Sequence, residues 1–509
     1  MAKDRTHPQA TVNTLNGALT GEKLATGIHV YRGIPYAKPP VGELRWRPPE
    51  AYPAWSGERD AATFSASCTQ PTHSSAFVWK RGDFEVSEDC LYLNVWAKSG
   101  ARDLPVMVWF HGGAHTSGQG HSQIFDGENL ASLDVVIITI NYRLGALGFL
   151  AHPWLNDESD HNSSGNYGLL DKIAALNWVR DNVEQFGGNP DNVTIFGQSA
   201  GSQSVCSLMA SPLATGLFHK AIGQSAACLD PAPGRDMAGH ERGRRLVDEL
   251  SISDLASLRK VSPEQILTAT ERSRWSNASR IVIDGWVLPE PQIDTFRDGR
   301  QAQVPLMVGC LADEGVGLFP VNEALTEAEL NAYLARLAGD QASAIKAAYV
   351  QALEGSPGTI QHAIATDLFM AFAMRRWAEY QHRTAQPTYL YFMDHVPPAF
   401  HLYMPEDPDM KLPSGPRPAA YHSGDLAFVF ANTGKVGLAW NEEDHALSHT
   451  MALYWTNFAR TGNPNGKGLV EWRPFEAEEF TTQRLNASPE SVPGIRRTRL
   501  DLLAKANPL

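Results

Sequence analysis

Val193-Thr194-Ile195-Phe196-Gly197-Gln198-Ser199-Ala200-Gly201 is the stretch that decides the fold. Its first four residues are apolar or β-branched and read as a short buried strand. Ala200–Met209 follows as a helical run, so Ser199 stands at the apex of a strand–turn–helix. Small residues flank it because the turn brings Gly197 and Gly201 together and side chains would clash. Such a turn lifts a serine hydroxyl above the sheet edge and points the next backbone N–H at a reacting carbonyl. The opening helix adds a positive dipole end where negative charge develops.

Outward from this turn, apolar runs recur at Pro105–Phe110, Val135–Ile140, Pro305–Gly309 and Thr388–Phe392. Each has the length and composition of a strand buried on both faces, as in parallel sheets. Helical patterns lie between them at Leu169–Asn182 and beyond them at His445–Phe458. The alternation predicts an α/β fold, a mostly parallel central sheet with helices on both faces. No Ser/Gly/Pro-rich linker, charge block or internal repeat divides the chain. Residues 8–509 therefore read as one large domain and residues 1–7 as a short N-terminal extension.

The Pro105–Phe110 run leads into His111-Gly112-Gly113-Ala114-His115. Glycine-rich backbone after a buried strand can turn its N–H groups toward an oxyanion, and each such donor is typically worth about 3 kcal/mol of barrier. Gly113, Ala114 and Ala200 are the expected donors. A serine nucleophile also needs a base, and the base needs an orienting carboxylate. In sheets of this kind the order along the chain is Ser, acid, His. Asp313-Glu314-Gly315 follows the Pro305–Gly309 run, which puts a carboxylate on the nucleophile's edge of the sheet. Downstream histidines are His362, His382, His395, His401, His422, His445 and His449. His422 is favoured by its place between a Pro-rich loop (Pro397–Ala420) and the apolar run Leu426–Phe430. His445 and His449 lie one turn apart on a helix, where structural roles are commoner.

The 509-residue chain is 43% hydrophobic and 19% charged, with a net charge of −13 spread along its length. A folded protein with a large core fits these values, and a nucleic-acid surface, which needs clustered Lys and Arg, does not. The longest apolar run is strand-sized, far short of the ~20 residues of a membrane span. No CxxC or Cys/His spacing points to zinc, and His111 and His115 lack a helical metal spacing, so neither metal nor cofactor is expected.

These residues resemble the type-B carboxylesterase family of the α/β-hydrolases, the group of cholinesterases and bacterial para-nitrobenzyl esterases. The resemblance is carried by Phe186-Gly187-Gly188 with the Val193–Gly201 stretch, and by Glu88-Asp89-Cys90-Leu91-Tyr92-Leu93-Asn94-Val95-Trp96. Tyr31–Ala37, Asn141–Gly145 and Asn463-Pro464-Asn465 add to it. It implies an α/β-hydrolase fold and hydrolysis of a small-molecule carboxylic ester through an acyl-enzyme. Ser199 would be the nucleophile, His422 the base and Glu314 the acid, with Ser225 and Asp425 in support. Asp425 replaces the family's usual Glu. Arg45 with Glu88, and Arg143 with Asp171, match its buried ion pairs, and Asp89 lies within a structural signature. A non-catalytic binding homologue is the competing class, but it would ordinarily lack a triad residue.

The resemblance also implies a Cys68–Cys90 disulfide, which leaves Cys206, Cys228 and Cys310 as thiols. Closing such a loop is worth about 3 kcal/mol. A disulfide favours a periplasmic or secreted protein whose leader is absent from this chain, with a cytoplasmic protein as the alternative. The loop between these cysteines carries Trp79, Lys80 and Arg81, expected at the mouth of the site. His115 stands where the family usually has Phe or Tyr, as a second candidate for substrate contact. Lys172 replaces a usual Gln. The basic and polar groups Lys80, Arg81, His115 and His121 suggest an anionic ester of the tricarballylate type cleaved by fumonisin esterases. Neutral short-chain esters are the alternative, with those residues then a solvated surface. Monomer and dimer both remain open.

Overall fold

In the computed structural model, the described residues are 8–72, 78–82, 84–229, 237–273, 275, 281–398, 400–404, 419–436 and 440–507. The short extension at residues 1–7 and most of the Pro-rich loop lie outside them.

Among the described residues, thirteen strands form one sheet. In chain order they are β1 (Gln9–Thr14), β2 (Gly17–Lys23), β3 (Ile28–Pro35), β4 (Glu58–Asp60), β5 (Tyr92–Lys98), β6 (Leu104–Phe110), β7 (Val136–Ile140), β8 (Gly188–Gln198), β9 (Lys220–Gln224), β10 (Leu306–Leu311), β11 (Thr388–Met393), β12 (Thr481–Leu485) and β13 (Glu490–Pro493). Their spatial order is β1-β2-β3-β5-β7-β6-β8-β9-β10-β11-β12-β13, and β4 pairs with β2. From β7 to β12 every neighbouring pair is parallel. The β1–β2, β2–β3, β3–β5, β5–β7 and β12–β13 pairs are antiparallel. This is the α/β-hydrolase architecture expected from the sequence.

Alternation along the strands explains why both faces are covered. On β6, Val106, Val108 and Phe110 enter one core, whereas Met107 and Trp109 enter the other. β10 divides likewise, with Leu306 and Val308 on one side and Met307 and Leu311 on the other. The first core is closed by helices α1 (Tyr167–Asn182), α2 (Ala200–Met209) and α3 (Phe372–His382). The second is closed by α4 (Glu442–Thr461), which inserts Leu447, Met451, Trp455 and Phe458. Asn441 caps α4 in a reciprocal capping box with Asp444.

The parallel register sets the height of the site. Phe110 pairs with Gly197, Gln198 with Gln224, and Gln224 with Gly309. The segments leaving β6, β8, β9 and β10 therefore emerge side by side at one edge.

Two disulfides are present, and this corrects the reading of three free thiols. Cys68–Cys90 is bonded as expected, and Cys206 is also bonded to Cys228, at Cα separations of 5.0 and 5.6 Å. The physical reason is tertiary. Cys206 lies on α2, which packs on β9, and the chain beyond β9 folds back over that helix. Ser202 Oγ donates to the carbonyl of Ala226 at 2.5 Å beside the crosslink. Cys310 remains a buried free thiol. The ion pairs Arg45–Glu88 and Arg143–Asp171 form and are almost wholly buried. Among the described residues no helix is long and apolar enough to cross a membrane.

Candidate active site

β8 delivers Ser199 with φ 55° and ψ −125°, a conformation that non-glycine residues avoid. The residues two positions to either side have to be glycine. A Cβ on Gly197 would sit 2.5 Å from the carbonyl carbon of Gly201, and one on Gly201 would sit 1.9 Å from the oxygen of Phe110. The Ser199 N–H donates to the carbonyl of Gln224 at 2.8 Å, which secures the turn. Ser199 is partly exposed, whereas Gln198 and Ala200 on either side are buried.

Glu314 and His422 meet because two loops are stitched together. The Asp313 N–H donates to Ala420 O, and the Ala420 N–H donates to the Asp313 carboxylate, both at 2.9 Å. One residue beyond Asp313 and two beyond Ala420, Glu314 Oε2 accepts from His422 Nδ1–H at 2.5 Å, with both side chains buried. The second carboxylate oxygen, Oε1, accepts from the Leu311 N–H at 2.8 Å. Since a carboxylate only accepts, the proton is on Nδ1 and the lone pair is on Nε2. Nε2 lies 3.2 Å from the side-chain amide of Gln198 and so faces the turn that carries Ser199.

The loop after β6 closes on this turn. A Cβ on Gly112 would lie 3.1 Å from Ser199 Cβ and 2.9 Å from Gln198 O. Gly113, Ala114 and His115 have φ values of 107°, 54° and 56°, successive left-handed residues of the kind that turn N–H groups into one concavity. Ala200 is buried at the first position of α2. His111 holds the loop from behind: its Nδ1–H donates to Gly112 O at 2.8 Å, and its ring stacks on Tyr142 at 4.4 Å. Burial pushes the His111 imidazole down to about 3, so it is neutral at pH 7. The Tyr142 hydroxyl donates to His111 O at 2.8 Å, and the side-chain nitrogen of Lys172 sits 3.0 Å from the Tyr142 ring centre.

Behind the turn, Ser225 also has positive φ, 56°, and its hydroxyl is buried with no hydrogen-bond partner among the described residues. Asp425 is fully buried, and its Oδ2 accepts from the Gln224 amide at 2.7 Å. Burial, reinforced by the nearby Glu314 charge, raises its carboxyl to about 6. Sequence reasoning missed Gln198 and Gln224. Both occur beside serines, but their partners are some 200 positions away.

The residues expected at the mouth fall in different surroundings. The Trp79 ring lies 5.9 Å from that of His422, and its N–H donates to Ser423 Oγ at 3.4 Å. Lys80 is half-buried beside it. The Arg81 guanidinium packs over Tyr403 at 5.0 Å and reaches Gln70 Oε1 and Pro71 O at 3.3 Å. His121 stacks on Phe64, and burial lowers it to about 4. The His115 ring is buried and bonds to Gln203 of α2. His445, by contrast, bonds to Thr433 and has no part in this arrangement.

A profile of the Carboxylesterase family matches residues 8–502. The chain belongs to the carboxylesterase family. It is 35% identical to the para-nitrobenzyl esterase of Bacillus subtilis (strain 168), over 94% of each chain. It is 34% identical to the fumonisin B1 esterase of Sphingopyxis macrogoltabida, over 92% of this chain and 85% of that one. Human cocaine esterase is 36% identical over 99% of this chain and 92% of its own. A solved PNB esterase structure superposes with a TM-score of 0.82 at 33% identity, covering 97% of this chain and 99% of that one. As a carboxylesterase, this protein acts on a small-molecule carboxylic ester.

Proposed function

We propose that this carboxylesterase works through an acyl-enzyme on Ser199, with His422 as base and Glu314 as its orienting acid. The observation that carries the reading is the buried 2.5 Å bond from His422 Nδ1 to Glu314, which leaves the Nε2 lone pair toward the Ser199 turn. Ser199 Oγ attacks the ester carbonyl carbon as Nε2 takes its proton. The carbonyl oxygen becomes an oxyanion held by the N–H groups of Gly113, Ala114 and Ala200. The carbon–alkoxy bond then breaks while His422 returns the proton to the leaving alcohol. Water repeats the sequence, adding its hydroxyl to the acyl carbon and restoring the Ser199 proton. Glu314 keeps its charge throughout, stabilising the imidazolium without accepting a proton. Burst kinetics with a chromogenic ester test this scheme. A burst equal to the enzyme concentration supports it, and Ser199→Ala with a tenth of normal activity overturns it.

We further propose that the substrate ester carries carboxylates and that Lys80 and Arg81 meet them. Support comes from Trp79, which brings their loop against His422, and from the fumonisin B1 esterase among the relatives. Arg81 also packs on Tyr403, so Lys80→Ala is the cleaner variant. It should raise KM for a tricarballylate ester severalfold, in line with about 1–3 kcal/mol for a charge-assisted contact, and leave para-nitrophenyl acetate unchanged. An equal effect on both esters returns substrate choice to neutral short-chain esters. The two disulfides fit the further proposal of a periplasmic or secreted protein.

A further inference from the structure

We propose that His115 and Gln203 form a brace that sets the distance between the oxyanion loop and the nucleophile helix, so that His115 is a positioning residue for catalysis. The proposal rests on Gly113, Ala114 and Ala200 being the oxyanion donors.

Those donors come from two separate elements. Gly113 and Ala114 belong to the loop after β6, whereas Ala200 opens α2. Three N–H groups converge on one oxygen only if loop and helix keep a fixed separation. The loop is strained, because left-handed φ at Ala114 and His115 is disfavoured for residues bearing a Cβ. Its internal bonds maintain its shape. The carbonyl of Gly113 accepts from the N–H groups of Thr116 and Ser117 at 3.0 and 3.1 Å, and from both their hydroxyls. None of these bonds refers the loop to α2.

The His115 side chain does. Its ring is 2% exposed, 5.0 Å from Phe149 and 6.5 Å from Tyr142, so it cannot swing freely. Its Nε2 lies 3.0 Å from Gln203 Oε1. An amide oxygen only accepts, so Nε2 carries the proton. The Gln203 N–H in turn donates to Ser199 O at 2.9 Å, which fixes it one turn behind the nucleophile. On the loop side, His115 O accepts from the Gly145 N–H at 2.7 Å. One end of the brace is thus the residue after Ala114, and the other is the first turn of the Ser199 helix. His115 touches no reacting atom and acts through where it holds Ala114.

The test is a double-mutant cycle on His115→Phe and Gln203→Leu, which keep bulk but remove the bond. The readouts are kcat and KM for para-nitrophenyl acetate, the Ki of a trifluoromethyl ketone that forms an oxyanion on serine, and Tm. Each single variant should lower kcat about tenfold, a fraction of what a 1 Å misplacement costs. The ketone should weaken by the same factor while KM stays within about twofold, since the ground-state ester makes little use of the oxyanion donors. The double variant should be no worse than the poorer single, because both remove one bond. His115→Gln, which returns an amide N–H near the Nε2 position, should recover most of the loss; this holds even if His115→Phe folds poorly. Multiplying losses, unchanged kcat in both singles, or lost kcat with unchanged ketone affinity would each overturn the brace. Failure of the unmodified enzyme to form the Ser199–ketone adduct would instead overturn the assignment of the site.

Discussion

Replacing Glu314 by Gln should cost about 10³–10⁴ in kcat with little change in KM, and the structure explains why so mild a substitution is so damaging. The two carboxylate oxygens of Glu314 both accept, one from His422 Nδ1–H at 2.5 Å and one from the Leu311 N–H at 2.8 Å. Glutamine has one acceptor and one donor, so it cannot serve both. If its oxygen faces His422, its amide N–H meets the Leu311 N–H donor to donor inside a fully buried pocket. A clash of that kind leaves buried groups unsatisfied at about 1–3 kcal/mol each. If it turns over to satisfy Leu311, its N–H faces Nδ1 and drives the proton to Nε2. The histidine then presents no lone pair toward Ser199. The second arrangement satisfies more groups and should prevail. The loss corresponds to about 4–5 kcal/mol of barrier, made up of the tautomer shift and the absent carboxylate charge. Para-nitrophenyl acetate hydrolysis measured from pH 6 to 9 is the assay, with a Tm to show that the fold survives. A loss under tenfold with a normal Tm would refute the role given to Glu314.

His422→Ala should abolish turnover, whereas His445→Ala should retain at least half of it; the reverse order would displace the proposed base. Non-reduced peptide mapping should show Cys68–Cys90 and Cys206–Cys228 crosslinked and only Cys310 alkylated after unfolding; free Cys206 and Cys228 in oxidised material would contradict the second bond. Acid should destabilise the fold. His111, His121 and His152 are held neutral with values pushed down to about 3, 4 and 4 from 6.5. Depressed histidines contribute stability above pH 6.5 that is lost as pH falls toward 4. At pH 5 the fully buried His111 costs about 2 kcal/mol, and His121 and His152 add smaller amounts. Asp425, raised from 3.8 to about 6, acts in the opposite sense, its stability being lost as pH rises toward 6. The histidines outweigh it, so the unfolding free energy in urea should drop by several kcal/mol between pH 7 and pH 5. A flat profile would show that these imidazoles are hydrated.

How much was legible depended on whether the cause was local. The Ser199 turn could be read because the close approach of Gly197 to Gly201 lies within five residues, although Phe110 from β6 adds a tertiary demand on Gly201. The central strands could be read because parallel strands buried on both faces are continuous apolar runs, as in β6, β7 and β10. β1 and β2 gave no such signal: Gln9–Thr14 and Gly17–Lys23 are polar, partly exposed strands. Ahead of its apolar run β8 is irregular: Gly188 pairs with Leu104 and the register then shifts before Val193, a detail with no local signal. Tertiary causes left no trace in local pattern. Cys206–Cys228 depends on how the chain leaves β9, and Gln198, Gln203 and Gln224 look like ordinary polar residues until His422, His115 and Asp425 are placed beside them. Glu314 and His422 stand between these cases, since chain order narrowed them and the Asp313–Ala420 stitch brings them together.

Ser199 Oγ is the atom that the proposed mechanism acylates. The most direct measurement is to inactivate the protein with an organophosphate ester and map the adduct by peptide mass spectrometry. A single phosphoryl group on the peptide carrying Gly197-Gln198-Ser199-Ala200-Gly201, fragmented to Ser199 and appearing in step with loss of esterase activity, is the predicted result. Complete inactivation with the label on another residue, or a labelled Ser199 in enzyme that still turns over, would contradict the account.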